Sequence, residues 1–270
     1  MVILVKKLIT IGEALIDFIP IEIGAYLKEV SGFLKSPGGA PANVASCVRK
    51  LGGKAQIITK LGNDAFGDFL EEKMLSVGID TTSILRTDKA NTALAFISLH
   101  GDGEREFSFY RKPSSDMLLE ANEIEREWFQ SGDVLHFCSV DLVDAPVRGA
   151  HDEAIRIAKE KNMIISFDVN VRLSLWDNQD EYRKIISKYI CKANVLKVSD
   201  EELEFVTQMS DEKQAIKYLR DRVDVLVYTK GAKGAYMYTK NNLAFHEGFK
   251  VNAVDATGAG DSFIGAVLYQ

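Results

Sequence analysis

Apolar residues recur along this chain in two rhythms. In the first they form short, nearly continuous runs at 8–13, 55–60, 134–139, 163–169, 194–198, 224–228 and 235–238. Runs of that length, bounded by Gly, Asp or Asn, predict strands buried on both faces. In the second they fall three and four positions apart, at 42–51, 64–77, 145–161, 180–190, in shorter pieces through 220, and at 262–269. That spacing predicts amphipathic helices, the first stopped by Gly52-Gly53 and the second by Gly78. Strands alternating with helices imply an α/β fold, a mainly parallel central sheet with helices on both faces. The sequence has no internal repeat, low-complexity tract or linker, so one domain is expected over 1–270.

Two segments break the rhythm. Near 14–36 the pattern is mixed, with short alternating stretches. Near 91–111, the runs 92–100 and 104–111 flank Gly101-Asp-Gly103, a strong hairpin signal. Phe107 and Phe109 alternate with polar neighbours, opposite Ala95 and Ile97. The two segments are read as one small β-rich lid over the ligand edge of the sheet. The alternative is a pair of ordinary surface excursions.

Composition narrows the class. At 270 residues and 46% hydrophobic content, the chain can bury a large core. A formal net charge of −6, with acidic and basic residues interleaved, leaves no basic stripe, so nucleic acid is not an expected partner. An acidic chain still binds a nucleotide triphosphate where Mg²⁺ and a local nest of N–H groups supply the positive potential. No apolar run is long enough to cross a bilayer. The first lysines follow the leading apolar residues with no small-residue cleavage site, so neither a membrane nor an export signal is expected. Cys47, Cys138 and Cys191 are widely spaced in apolar surroundings and read as buried free thiols, which points to a reducing cytoplasm. No Cys/His group has zinc spacing, and His100, His136, His151 and His246 stand apart from any nucleophile motif.

The densest chemistry lies in Asp255-Ala-Thr257-Gly258-Ala259-Gly260-Asp261-Ser-Phe, directly before the last helical pattern. Small residues let backbone N–H groups approach a ligand closely, and a helix start adds its positive dipole end, which together make an anion hole. Asp261 places a carboxylate at the same turn. That combination suits phosphoryl transfer to a hydroxyl, with the N–H groups holding phosphate charge and the carboxylate taking the proton. Capping of the helix is the simpler reading of the turn alone. A second segment, Gly38-Gly39-Ala-Pro41-Ala-Asn43, pairs two glycines with a proline suited to a first helical turn and an Asn that offers donors and an acceptor to a sugar hydroxyl.

These two segments resemble the C-terminal and N-terminal signatures of the ribokinase-like, or PfkB, family of carbohydrate kinases, and the resemblance runs from Leu8 to the end. It implies a ribokinase-like sheet with a β lid, ATP and Mg²⁺ as cofactors with K⁺ as a further cation, and a homodimer joined through the lid, for which Phe107 and Phe109 with Ala95 and Ile97 are the candidate apolar contacts. Asp261 is then the base and Gly258, Ala259 and Gly260 the anion hole. Asp168-Val-Asn170-Val-Arg172 resembles the motif after a strand in which the Arg reaches the transferred phosphate, although a plain turn would read the same. Lys197-Val-Ser199-Asp-Glu-Glu202 resembles an element whose Glu organises Mg²⁺ through water. Ser199 stands where the family usually has Asn, and Ser199 with Glu202 also has capping-box spacing.

Thr229-Lys-Gly231-Ala-Lys-Gly234 resembles the glycine-rich turn along the nucleotide and is not a Walker A loop. Asp17, Gly38, Gly39, Asn43 and Arg111 would contact the sugar, although Asp17 and Arg111 read as solvated on pattern alone. Asp255 and Thr257 would hold the monovalent cation. Gly62-Asn-Asp64-Ala-Phe-Gly67 also matches and is assigned to a turn and helix cap. The details look most like fructokinases, with 2-keto-3-deoxygluconate kinase or ribokinase as near alternatives. A non-catalytic sugar- or nucleotide-binding relative is the alternative from another class. Family members run on for some tens of residues past the point matching Gln270. Either the sequence is a C-terminally incomplete kinase domain, or it lacks part of the adenine wall.

Overall fold

The computed structural model describes residues 6–22, 24–99, 105–251 and 257–270. In chain order the strands are β1 (Lys7–Ile11), β2 (Leu15–Pro20), β3 (Phe33–Gly38), β4 (Lys54–Gly62), β5 (Ile84–Thr87), β6 (Ala93–Leu99), β7 (Arg105–Tyr110), β8 (Val134–Cys138), β9 (Ile164–Asp168), β10 (Val195–Ser199), β11 (Val225–Thr229), β12 (Ala235–Thr239) and β13 (Leu243–His246). The helices are α1 (Ala40–Lys50), α2 (Ala65–Ser76), α3 (Pro146–Glu160), α4 (Gln179–Ile190), α5 (Asp200–Thr207), α6 (Glu212–Arg220) and α7 (Ala259–Tyr269).

Among the described residues, the continuous apolar runs build a nine-stranded sheet in the order β13-β12-β11-β10-β9-β8-β1-β4-β5. Its strands from β11 through to β5 are parallel, and β12 and β13 add an antiparallel edge. Alternation within each strand feeds two cores. Ile9, Phe137, Phe167 and Leu196 pack against α3, α4, α5 and α6 on one face. Leu8, Ile57 and Val134 pack against α1, α2 and α7 on the other. Two-sided burial is what the unbroken apolar runs required. Helix α2 begins where Asp64 accepts from the N–H groups of Phe66 and Gly67, the cap expected from its sequence.

The two irregular segments pair with each other. Strands β3-β2-β6-β7 form a second, four-stranded sheet, with β2 parallel to β6 and the other pairs antiparallel. Sequence rhythm left the segment near 14–36 irregular because Asp17, Pro20, Lys35, Ser36 and the adjoining Pro37 spoil the alternation, and Pro37 is tolerated on β3 because that strand lies at the edge. An aromatic cluster substitutes for a clean pattern: Phe18 stacks on Phe96 at 4.7 Å, Phe33 meets Phe96 edge-on at 5.2 Å, and Phe66 of α2 meets Phe18 at 5.8 Å. The β6–β7 pairing is the one the hairpin signal predicted. Its Gly101-Asp-Gly103 turn, together with His100 and Glu104, lies outside the described residues, as does the side chain of Phe107.

Two expectations from the sequence do not hold. Ala95 and Ile97, named as apolar contacts for a second subunit, are buried within the chain itself, and Phe109 packs on Leu15, Ala93 and Ala95. Of the three thiols only Cys138 is buried; Cys47 is half-buried, and Cys191 is exposed because it follows the last turn of α4. Among the described residues no helix is long and apolar enough to cross a membrane.

Candidate active site

In an open α/β sheet the carboxyl ends of the strands leave an edge lined by loops and helix N-termini. Here β9 ends at Asp168, β10 at Ser199 and β11 at Thr229, and the segments singled out from the sequence follow them. Two helices open at this edge. Helix α1 starts after Gly39, whose φ of 102° suits only glycine and where a Cβ would lie 2.9 Å from Ala14 Cα. Helix α7 starts after Gly258, in the left-handed region at φ 72°.

The two N-termini meet. Asn43 Nδ2 donates to Asp261 Oδ2 at 2.9 Å, joining side chains 218 positions apart. The helices can lie this close because Gly265 has no side chain: a Cβ there would sit 2.9 Å from Cys47 Cβ. Asp17 stands beside the same loop, and a Cβ on Gly38 would fall 2.5 Å from its carboxyl carbon. Glycine at 38 therefore keeps the space Asp17 occupies.

Charges converge on Asp261. Burial raises its pKa above the usual aspartate value, while Asn43, Arg172 and Lys197 pull it back. Lys197 Nζ is 3.0 Å from Asp168 Oδ1 and lies against Gly260, where a Cβ would be 3.2 Å from it. Burial disfavours the ammonium, but Asp168, Glu202 and Asp261 outweigh it and hold the Lys197 pKa up. Asp168 is pushed to about 7, chiefly by burial, with Lys197 opposing and Glu202 and Asp261 reinforcing. A lysine charge against the small-residue start of a helix gives a candidate anion site with two contributors.

The loop that carries Arg172 is held from behind. Ser139 Oγ donates to Val169 O and lies 2.6 Å from Tyr182 Oη, which accepts from the Arg172 N–H at 3.1 Å. Trp176 stacks on Tyr182 at 4.6 Å. Glu202 accepts from the N–H groups of Val171 at 2.8 Å and Ser199 at 2.9 Å, so the capping-box spacing was structural in fact, and the same carboxylate also pins the Arg172 loop. Among the described residues no three His, Cys, Asp or Glu side chains gather as a metal cage. A single carboxylate is still the protein share common for Mg²⁺ that arrives on nucleotide phosphates with its own waters.

Beside the anion site runs a groove of about 1760 Å³, lined by Lys197, Ser199, Thr229, Gly231, Gly234 and Gly260 among others. Its apolar wall is made by Tyr236, Phe245, Phe249 and Phe263, of which Phe245 and Phe249 lie outside every element that sequence rhythm predicted. Part of that wall is β13, whose four residues are all exposed and so carry no burial pattern. A smaller hollow of about 870 Å³, near Lys217, Arg220 and Asn242, lies at the amino end of β11, away from every signature residue. Arg111 is not solvated. It is buried and paired with Asp116 and Asp141. Thr257 is placed at the turn before α7, while Asp255 lies outside the described residues.

Comparison with known proteins agrees with this geometry. A family model described as pfkB family carbohydrate kinase matches residues 5–270. The chain is 47% identical over 264 residues to a protein of Arabidopsis thaliana named probable fructokinase-2, covering 97% of this chain and 80% of the relative. It is 45% identical to fructokinase-2 of Solanum lycopersicum, with 97% and 80% covered. Among solved structures, fructokinase with bound ATP from Xylella fastidiosa superposes with a TM-score of 0.89 at 37% identity, covering 98% of this chain and 81% of that one. A fructokinase double mutant from Vibrio cholerae, solved with fructose, ADP and potassium, gives 0.88 at 34% identity, with 98% and 83% covered. The same fold, both signature segments meeting at one strand edge and a match along nearly the whole chain lead to one assignment: the chain belongs to the pfkB family of carbohydrate kinases.

Proposed function

We propose that this carbohydrate kinase is an ATP-dependent fructokinase that transfers the γ-phosphoryl group to the primary 6-hydroxyl of fructose. The observation that carries the reading is the Asn43–Asp261 contact of 2.9 Å between two helix N-termini. One signature supplies a sugar-reading amide, the other a carboxylate and an anion hole, and the fold puts them in contact. Fructokinase relatives at 43–47% identity favour fructose over the other sugars considered.

In this reading Asp17, Gly38, Gly39 and Asn43 orient the sugar. Asp261 Oδ2 is engaged by Asn43, and Oδ1 receives the proton of the 6-hydroxyl. The sugar oxygen forms its bond to phosphorus as the bond to the ADP oxygen breaks. Charge on the transferred group falls on the N–H groups of Gly258, Ala259 and Gly260, with Arg172 and Lys197 beside them. The nucleotide lies in the groove along Thr229, Gly231 and Gly234. Mg²⁺ bound to the phosphates would neutralise charge there, with Glu202 reached through water, and Thr257 with Asp255 would hold K⁺. Arg111 supports the sugar site from inside the protein. The small sheet acts as a lid that excludes water. A homodimer through that sheet would use exposed Leu34 and Tyr110 in place of Ala95 and Ile97.

A coupled ADP-release assay over fructose, ribose, 2-keto-3-deoxygluconate and aminoimidazole riboside tests the assignment. Fructose should give the highest kcat/KM, with fructose 6-phosphate as product. A site built to pair hydroxyls discriminates against analogues that leave its polar groups unpaired. Equal efficiency across the panel, or another sugar in first place, would overturn the fructose assignment.

A further inference from the structure

Behind the sugar loop lies a buried charged cluster that the phosphoryl-transfer step does not use. Glu13, Arg111, Asp116 and Asp141 are all 4% exposed or less. Arg111 donates to both Asp116 and Asp141, and Asp116 also accepts from Ser114. Glu13 neighbours Asp141 and Arg111, with Cys138 Sγ 3.6 Å from its Oε2. Its Oε1 accepts from the backbone N–H of Ala40 at 2.9 Å.

That last contact joins parts far apart in the chain. Ala40 opens α1, directly after Gly38-Gly39. A helix start needs acceptors for its first N–H groups, and Gly39, as N-cap, has no side chain to provide one. Glu13, 27 positions upstream, supplies it from the loop after β1. Its neighbours extend the connection. Asp141 follows β8 of the large sheet, and Arg111 is the first residue after β7 of the small sheet. One buried point thus ties the large sheet, the root of the small sheet and the sugar loop.

We infer that Glu13 is a positioning residue of the sugar site: by accepting from the Ala40 N–H it fixes where Gly38, Gly39 and Asn43 stand, and the Arg111 pairs link that position to the small sheet. The inference rests on the sugar-kinase reading. Burial of three carboxyl groups around one guanidinium supports it, because buried charged groups stand only where their partners hold them. Burial and the charge of Asp141 both raise the Glu13 pKa, with Arg111 and the Ala40 N–H opposing. A neutral Glu13 is well mimicked by glutamine.

The test compares Glu13→Ala and Glu13→Gln by steady-state kinetics, with melting temperature and circular dichroism recorded on each. Glu13→Ala leaves a helix N–H without its acceptor and should raise KM for the sugar by about tenfold or more. KM for ATP should move less than about twofold, because the groove lies at the other end of the site, and Glu13→Gln should recover most of the sugar KM. A folded Glu13→Ala with wild-type sugar KM, or with both KM values raised by one factor, would overturn the inference. Amide exchange of Ala40 in the wild-type protein decides the matter if the alanine variant does not fold. Strong protection is expected, and exchange at the rate of an unprotected helix start would overturn the inference. Failure of the wild type on fructose would sink only the substrate assignment, since the exchange result and the KM for whichever sugar is accepted stand apart from it.

Discussion

Substituting Gly38 by Ala tests whether the sugar site is built from a missing side chain. The added Cβ would stand 2.5 Å from the Asp17 carboxyl carbon, closer than real Cβ contacts come. The neighbour is the far end of a side chain that can rotate, so the fold should survive and Asp17 should yield. A forced rotamer change costs about 0.5–1.5 kcal/mol, and losing a hydrogen bond between a charged group and a sugar hydroxyl costs about 1.5–3 kcal/mol. The two together predict a fall in kcat/KM for fructose of about 30- to 2000-fold. The assay is ADP release with sugar and ATP varied separately, on Gly38→Ala, Asp17→Ala and the double variant. KM for ATP should change less than about threefold, since the groove proposed for the nucleotide does not include Gly38. Because the alanine acts through Asp17, the double variant should be no worse than the poorer single one. Losses that multiply in the double variant, or a Gly38→Ala enzyme within about threefold of wild type, would refute the reasoning.

If Asp261 is the base it must be ionised to accept the proton, so kcat should fall as pH drops through its pKa. That pKa is raised by burial and lowered by Asn43, so Asn43→Ala should move the acid limb to higher pH; a limb that stays put or moves down would count against Asp261 as base. Gly234 has φ 97°, and a Cβ there would lie 2.9 Å from Glu247 Cα, so Gly234→Ala should displace the wall that carries β13. KM for ATP should then rise by about tenfold or more while KM for fructose holds, the reverse of the Gly38 variant, and an unchanged ATP KM would show that the groove is not the nucleotide site.

The parallel sheet was legible because strands buried on both faces must be mostly apolar, and β1, β8, β9, β10 and β11 are, with Asp168, Lys197, Ser199 and Thr229 breaking the runs at the site. The site's ends were legible because small residues before a helix, Gly38-Gly39 and Gly258-Ala259-Gly260, leave a mark in sequence whatever lies between them. Their meeting was not, since the Asn43–Asp261 contact spans 218 positions and depends on Gly265, which reads as an ordinary helix glycine. The pairing of β2 with β3 was hidden by prolines and charges, and β13 by exposure at the sheet edge. Arg111 was misread as solvated on pattern because nothing local announces Asp116 and Asp141 as its partners. Asp116 lies five positions on, in a turn the pattern does not predict, and Asp141 is brought in by the fold from the loop after β8.

In the proposed reaction Asp261 takes the proton from the sugar hydroxyl. Single-turnover measurement of fructose 6-phosphate formation by Asp261→Asn, at saturating fructose and ATP, tests it most directly. The amide keeps the size and the Asn43 neighbour but cannot accept the proton, so the rate should fall by about 10²–10⁴-fold while both substrates still bind. A variant that forms product at near the wild-type rate would contradict the account.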